Sequence, residues 1–291
     1  MDNHLDAAGC HNAVMDMIGV DAFKEVIRKL HDLPGAGEPD RLPRLLLPNY
    51  LWAVQRGGGV TKMLSMFAEY LHAARLMEFR GLFKFFEYEL HYVPPDFFFT
   101  ELGRFHSKLD GLARHSRYFK GVACIHIDDW LKNTDDPHFI KFLHYLSDNS
   151  NRLISVFCAH TTSEPVISAL EAALGAHMRI ETLMLRFPEP PELVNWVENR
   201  SLLPLGFSLE EDARSLLVES VAEIATGKQF HGFKTIVHLA EDILYRAIAH
   251  EKLAPRPLTA DLLRDFAKGS PYVQRAKRAT IFNPGIGYAR G

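Results

Sequence analysis

The sequence predicts an α/β fold in which a mostly parallel sheet is followed by a small C-terminal helical domain. Short apolar runs alternate with helix-like segments as far as about Pro190, which is the pattern of strand–helix–strand units. Beyond that point the strand-like runs stop and only helix-like segments follow. We therefore expect residues 1–190 to form an α/β core, 191–268 a helical domain and 269–291 a tail.

The composition is that of a globular protein with no membrane segment. The chain has 291 residues, of which 47% are hydrophobic and 24% charged, and a chain of this size can bury a sizeable core. The net charge of −3 offers no general attraction to nucleic acid or to anionic membranes. Since no apolar run approaches the roughly 18 residues of a membrane helix, and no signal-peptide pattern opens the chain, we expect a cytoplasmic protein.

The N-terminal part is expected to begin loosely and then to form one helix. Residues 1–12 are interpreted as a loose start, and a helix is predicted from Asp21, with Asp21 itself as the N-cap. Its apolar face is formed by Phe23, Val26, Ile27 and Leu30. Residues 34–48 contain four prolines and are predicted to be a linker or loop.

The central feature of the chain is a strand, a glycine turn and a helix within Tyr50–Leu71. A β-prone apolar run comes first, Gly57, Gly58 and Gly59 follow, and the next segment carries apolar residues at helical spacing. Glycines let the backbone approach a ligand closely, and a helix N-terminus favours a negative charge. The stretch is therefore suited to binding a phosphate, although three glycines in a row are also typical of a plain flexible turn.

Further strands and helices are predicted between this feature and the helical domain. We expect strands at Phe83–Tyr92, Val122–Ile127 and Leu153–Cys158, with helices from Phe97 to about Tyr118 and from His138 to Leu146. The helices of the C-terminal domain are predicted at Pro191–Asn199, Leu209–Ala225, Phe233–His250 and Thr259–Phe266. The three cysteines, Cys10, Cys124 and Cys158, are widely spaced and are expected to be buried free thiols.

Two carboxylates follow a strand-like run, at Asp128 and Asp129. An acid at the carboxyl end of a buried strand can hold magnesium beside a phosphate-binding loop, and a second acid can orient or deprotonate the attacking water. The alternative is an ordinary strand-end turn with an aspartate cap. The order and spacing relative to the glycine turn favour the functional interpretation.

The glycine turn resembles the phosphate-binding loop of P-loop ATPases. Gly57 and Gly59 match the two glycines that end the motif, and Thr61 takes the place of the threonine that holds magnesium. Val60 stands where the family has its lysine, so the largest local positive charge is missing. The nearest charges that could replace it are Arg56 and Lys62.

With the acids included, residues from about Val14 to Ala267 resemble an AAA+ ATPase module with a helical lid. Met17–Val20, which includes Ile18, resembles the opening motif that lies over the adenine. The resemblance implies that Asp128 and Thr61 hold magnesium and that Asp129 acts on water. It further implies ATP or ADP and Mg²⁺ as cofactors.

The remaining features of the resemblance are mostly single residues, which occur along the chain in the same order as the corresponding motifs of the family. His160 or Thr161 stands in the place of the polar residue that senses the nucleotide, and Arg179 resembles the arginine that reaches the neighbouring subunit's nucleotide. Lys234 stands where the lid carries a basic residue, usually arginine. Leu258–Leu263 resembles the segment that starts the last lid helix. Each of these residues also has an ordinary interpretation, as a surface charge or as a cap.

The resemblance implies an oligomer, of identical or different AAA+ subunits, that acts on an unidentified protein. Two alternatives remain open: an inactive pseudo-ATPase that acts as a scaffold or regulator, and a nucleic-acid-associated loader, for which the basic residues of the tail are Arg275, Lys277, Arg278 and Arg290. Phe97–Phe99 corresponds either to an aromatic pore loop or to core residues. No Cys/His pattern has zinc spacing, and no nucleophile motif is found.

Overall fold

A computed structural model of the protein describes residues 6–33, 47–55, 57–77, 85–92, 103–105, 121–148, 153–226, 230–250 and 256–269. The chain divides into two compact units, Met1–Arg186 and Phe187–Gly291. In the described part of the chain, no helix is both long and apolar enough to cross a membrane.

The first unit contains a parallel five-stranded sheet. Its elements are α1 (Ala7–Met15), α2 (Asp21–His31), β1 (Asn49–Val54), α3 (Val60–Ala73), β2 (Phe85–Glu89), β3 (Gly121–His126), α4 (Pro137–Asp148), β4 (Leu153–Ala159), α5 (Glu164–Gly175) and β5 (Ile180–Leu185). The strand order is β2-β3-β4-β1-β5, and every neighbouring pair is parallel. The predicted α/β fold class, a parallel-sheet core followed by a small helical domain, is confirmed.

Both faces of the sheet are buried, as a parallel sheet requires. Along β1, Tyr50, Trp52 and Val54 pack with α1, α2 and α3 on one face, whereas Leu51 and Ala53 pack with α4 and α5 on the other. The connection that leaves β1 through α3 therefore runs over the opposite face from the connection that leaves β4 through α5. Where the connections from two neighbouring strands run over opposite faces of the sheet, a crevice opens at the carboxyl ends of those strands. Ligands of open α/β sheets bind in this crevice.

The prediction of a loose start at residues 1–12 is wrong for residues 7–12, and residues 1–5 lie outside the described part of the chain. Helix α1 begins at Ala7, and the Asp6 side chain caps it by accepting the Gly9 N–H at 2.7 Å. Cys10 and Val14, four residues apart, are buried against the core, so tertiary packing forms a helix that has little amphipathic pattern of its own.

Two further details differ from the sequence-based expectations. Asp21 is the first residue of α2 and not its N-cap, because Val20 occupies that position. Of the helix predicted from Phe97 to Tyr118, the structure describes a helical turn at residues 103–105. The segment Phe97–Phe99 and the basic residues of the tail lie outside the described residues.

The second unit is mainly helical. Its elements are α6 (Pro190–Val197), β6 (Ser208–Leu209), α7 (Glu211–Ala225), α8 (Phe233–Tyr245), β7 (Pro257–Leu258) and α9 (Ala260–Gly269). Strands β6 and β7 form a two-residue parallel pair. The expectation that no strand follows Pro190 is therefore wrong, since a pairing this short leaves no periodic pattern in the sequence.

Two buried phenols predict how the first unit responds to alkaline pH. Burial, with a smaller contribution from the Asp32 carboxylate, raises the pKa of Tyr70 to about 12, and burial raises the pKa of Tyr50 as well. Above the ordinary pKa of about 10, the unfolded chain loses these protons first. We therefore expect the free energy of unfolding to be unaffected by these groups below about pH 10 and to fall as the pH rises further.

This dependence can be measured by urea denaturation over an alkaline pH series. Tyr70→Phe removes one of the two phenols and is expected to flatten the decline relative to the wild-type chain. An equally steep decline in both proteins would contradict the assignment to Tyr70.

Candidate functional site

A cavity of about 510 Å³ opens at the carboxyl edge of the sheet in the first unit. It is lined by Gly57, Glu87, Glu89, Leu90, His91, His126, Asp128, Asp129 and His160. Apart from Glu87 in the middle of β2, these residues lie at the ends of β1 to β4 or just beyond them. Parallel strands bring them together because all four strands end at the same edge. The lining combines four carboxyl groups with three imidazoles.

The turn between β1 and α3 is shaped by glycine. Gly57 and Gly59 both have a φ of 80°, a conformation that other residues adopt only with strain. The Gly58 N–H donates to the Gln55 carbonyl at 3.0 Å, and a Cβ at Gly58 would lie 3.0 Å from that same oxygen. Gly59 is the N-cap of α3 and has no side chain to cap the helix, so the first N–H groups of α3 stay available to an anion.

The residues of the predicted phosphate loop differ in whether they line the cavity. Gly57 lines the cavity, whereas Gly58, Gly59, Val60 and Thr61 are not among its lining residues. The Val60 side chain is 9% exposed and belongs to the apolar core beneath α3. Thr61 is exposed, as is Lys62 in the same helical turn, and Arg56 lies outside the described residues. Contact of these residues with a phosphate or with magnesium stays a prediction.

Asp128 and His160 form the tightest polar contact in the cavity. The backbone N–H of His160 donates to Asp128 Oδ1 at 2.7 Å, and its Nδ1 lies 2.6 Å from Oδ2. This hydrogen bond raises the pKa of His160, against the opposing effect of burial. The pair joins the end of β3 to the end of β4 and holds the Asp128 carboxylate in one orientation.

Asp129 is the more accessible of the two acids. Its side chain is 51% exposed, and its Oδ2 accepts the Tyr92 N–H at 3.3 Å and lies 3.4 Å from His91 Nδ1. The next residue, Trp130, is buried and donates its indole N–H to the Leu90 carbonyl at 3.0 Å. The turn after β3 is thus attached to the segment after β2.

The sequence did not single out the groups that β2 and β3 add to the cavity. His126 Nε2 lies 3.2 Å from Glu87 Oε2, and the His126 and His160 rings stack with centroids 5.7 Å apart. Contacts with Cys158 and Glu87 raise the pKa of His126, and hydrogen bonds from Cys124 and His126 lower the pKa of Cys158. The only signal in the sequence was the alternation along β3 that places Cys124 and His126 on the same face.

The other residues of the predicted site lie elsewhere. Ile18 is half-buried in the turn between α1 and α2, and Thr161 Oγ1 accepts the Ser163 N–H at 3.2 Å, just before α5. Arg179 precedes β5 at the amino edge of the sheet, about 20 Å along the strand from Leu185 at its carboxyl end, at about 3.3 Å per residue. Lys234 is an exposed residue in the first turn of α8, in the second unit. Their roles at a nucleotide stay predictions.

Comparisons with known proteins give matches among solved structures. No protein-family model matches the chain, and no curated protein matches it. Among solved structures, that of PCH-2 from C. elegans aligns with 95% of this chain and 70% of its own length, at 12% sequence identity and a TM-score of 0.46. The chemistry of the cavity's own residues therefore decides what function is proposed.

Proposed function

We propose that the chain is an AAA+-like module that binds ATP or ADP with Mg²⁺ at the carboxyl edge of its sheet and hydrolyses ATP weakly. The observation that carries this proposal is that Gly57, Asp128, Asp129 and His160, from the loops after three different strands, line one cavity. A cavity in this position, beside a glycine turn and a helix N-terminus, is where α/β sheets bind nucleotides.

The donor groups of the cavity fit magnesium. Mg²⁺ prefers carboxylate oxygens and is usually held by one or two of them together with phosphate oxygens. Asp128 is the proposed ligand, since it lies just after β3 and lines the cavity. The two contacts with His160 orient the Asp128 carboxylate, as hydrogen-bonded partners of metal ligands commonly do. Bound magnesium supplies positive charge to the phosphates.

Some of the groups that are expected to contact the phosphates are present in the structure. The backbone N–H groups at the start of α3 and the tight glycine turn before them are present. No lysine or arginine is found among the described residues that line the cavity. Because Glu87 and Glu89 add further negative charge, a free triphosphate would be repelled, so the nucleotide is expected to bind only as its magnesium complex.

The remaining roles follow the resemblance to AAA+ ATPases. Asp129, half exposed and supported by the Tyr92 N–H, would hold and deprotonate the attacking water. Arg179 lies too far from its own cavity to act there, which suits an action on the neighbouring subunit in a ring. Lys234 keeps the role that the resemblance implies for it, as the basic residue of the lid. Thr61, Ile18 and Thr161 keep their proposed contacts with magnesium, the adenine and the phosphates.

A second candidate function is an inactive scaffold, and one observation favours it. Val60 is not only uncharged but packed into the core, so the place of the catalytic lysine is taken by a structural side chain. Under this alternative, nucleotide binds without being consumed. Turnover of ATP above the background rate distinguishes weak hydrolysis from the scaffold.

The proposal is tested by titrating the full chain with ATP and ADP in a calorimeter, with Mg²⁺ and again with a chelator. We expect saturable binding with Mg²⁺ and none without it. Gly58→Ala is expected to weaken binding at least about ten-fold, because the new Cβ displaces the Gln55 carbonyl and with it the turn.

The matched control is Gly175→Ala, since a Cβ at Gly175 meets nothing within 4 Å. This variant is expected to bind as the wild-type chain does. If the folded wild-type chain gives no heat with Mg²⁺ and millimolar nucleotide, the proposed function is wrong.

A further inference from the structure

A second cluster of ligating groups lies on the side of β3 and β4 that faces α3. His126 pairs in register with Cys158 on the neighbouring strand, and Cys124 precedes His126 by two residues on the same face. The Cys124 thiol, a ring nitrogen of His126 and the Cys158 thiol all lie within 4.8 Å of one another. They belong to adjacent strands of a rigid sheet, so their spacing is set by the backbone.

We propose that Cys124, His126 and Cys158 bind a structural zinc ion, with the Glu87 carboxylate as the fourth ligand. Two sulfurs, one imidazole nitrogen and one carboxylate oxygen make a donor set of the kind that zinc takes in four-coordinate sites. Thiolate ligands select zinc over magnesium. The cluster is therefore chemically distinct from the neighbouring acids Asp128 and Asp129, and the inference does not depend on the proposed function.

Two of the distances between the donor atoms are close to those of a tetrahedral site. Bonds of about 2.3 Å to sulfur and about 2.0 Å to nitrogen or oxygen place tetrahedral donors about 3.3 to 3.8 Å apart. Cys124 Sγ lies 3.9 Å from His126 Nε2, and Glu87 Oε2 lies 3.2 Å from the same nitrogen. Glu87 stands outside the group of three donors that lie within 4.8 Å of one another, so its side chain must turn toward the two sulfurs to complete the site.

The surroundings of the cluster suit a closed metal site with one route of entry. Cys124 and Cys158 are fully buried in the core between the sheet and α3, which shields the ligands from solvent. His126 and Glu87 also line the cavity at the carboxyl edge, so an ion can reach the site from that side. An ion held here would join β2, β3 and β4, and its binding free energy would stabilise the fold.

The first measurement is the metal content and spectrum of the full chain, reduced and freed of metal. After addition of zinc chloride and removal of excess, we expect one zinc per chain by elemental analysis and a higher unfolding temperature than that of the metal-free protein. With cobalt(II) in place of zinc, thiolate-to-metal charge-transfer bands and intense visible bands of tetrahedral cobalt are expected. Less than stoichiometric zinc, or a cobalt spectrum without thiolate bands, would overturn the proposal.

The cysteine variants assign the ligands. Cys124→Ser and Cys158→Ser are each expected to weaken zinc affinity at least ten-fold. The matched control is Cys10→Ser, since Cys10 is also a buried cysteine but lies on α1, and it should keep the wild-type stoichiometry. If Cys10→Ser loses zinc to the same degree, the site is not the one proposed.

Two further outcomes keep the test decisive. If a ligand variant fails to fold, the cobalt spectrum of the wild-type chain still reports whether two thiolates bind the metal. If mass spectrometry of the protein isolated under reducing conditions finds Cys124 and Cys158 joined as a disulfide, the pair is redox-active and the zinc proposal fails. Neither outcome affects nucleotide binding with Mg²⁺, which is measured separately.

Discussion

Asp128→Asn is expected to weaken the binding of Mg–ATP at least about ten-fold, which corresponds to about 1.4 kcal/mol. The substitution keeps the shape of the side chain and an oxygen for the His160 N–H, but it removes the negative charge proposed to hold magnesium. Because the described lining has no lysine or arginine to hold the phosphates in its place, we expect the loss of the charge to lower the affinity for the nucleotide complex directly.

The neighbouring Asp129→Asn provides the comparison. Asp129 is half exposed and is proposed to act on water, so this variant should bind Mg–ATP nearly as the wild-type chain does and lose ATP turnover. Calorimetry measures the affinity, and phosphate release measures the turnover. Asp135→Asn, an exposed carboxylate outside the cavity lining, controls for the general effect of removing one charge. Equal affinity losses in the Asp128 and Asp129 variants would contradict the assigned roles.

Most elements of the fold could be predicted because their signals are local. Strands buried on both faces, such as Leu153–Ala159, appear as continuous apolar runs, and α3 shows its apolar face in the spacing of its residues. Helix α1 was missed because its two buried residues make only a weak pattern. The strand pair in the second unit was missed because it consists of two residues on each side.

The site was predictable only where its residues follow a recognisable strand. Gly57, Asp128 and His160 each come just after such a strand, and parallel strands end at one edge of the sheet, so their convergence could be expected. The contribution of Glu87 could not, because the aromatic and charged residues around it show no clean alternation. The Cys–His cluster depends on β3 lying beside β4 in a particular register, which is tertiary information.

The largest effect on stability is expected in the second unit, at a buried carboxylate. Glu198 is 5% exposed, accepts the Leu209 N–H at 2.9 Å and forms an ion pair with Arg214. Arg214→Leu leaves this carboxylate buried without its counter-charge, and we expect the free energy of unfolding to fall by about 3 kcal/mol. Glu198→Gln keeps an acceptor for the Leu209 N–H and leaves only a partly exposed arginine, so its expected cost is about 1 kcal/mol.

The double variant tests the cause of that loss. If the buried charge is responsible, adding Glu198→Gln to Arg214→Leu removes the uncompensated carboxylate and recovers part of the stability, so the two effects are not additive. Urea denaturation of the full chain measures each variant. Arg264→Leu breaks an exposed pair with Asp261 and should cost less than about 1 kcal/mol. An Arg214→Leu effect no larger than this control would mean that water reaches Glu198 and that the carboxylate never lost its solvation.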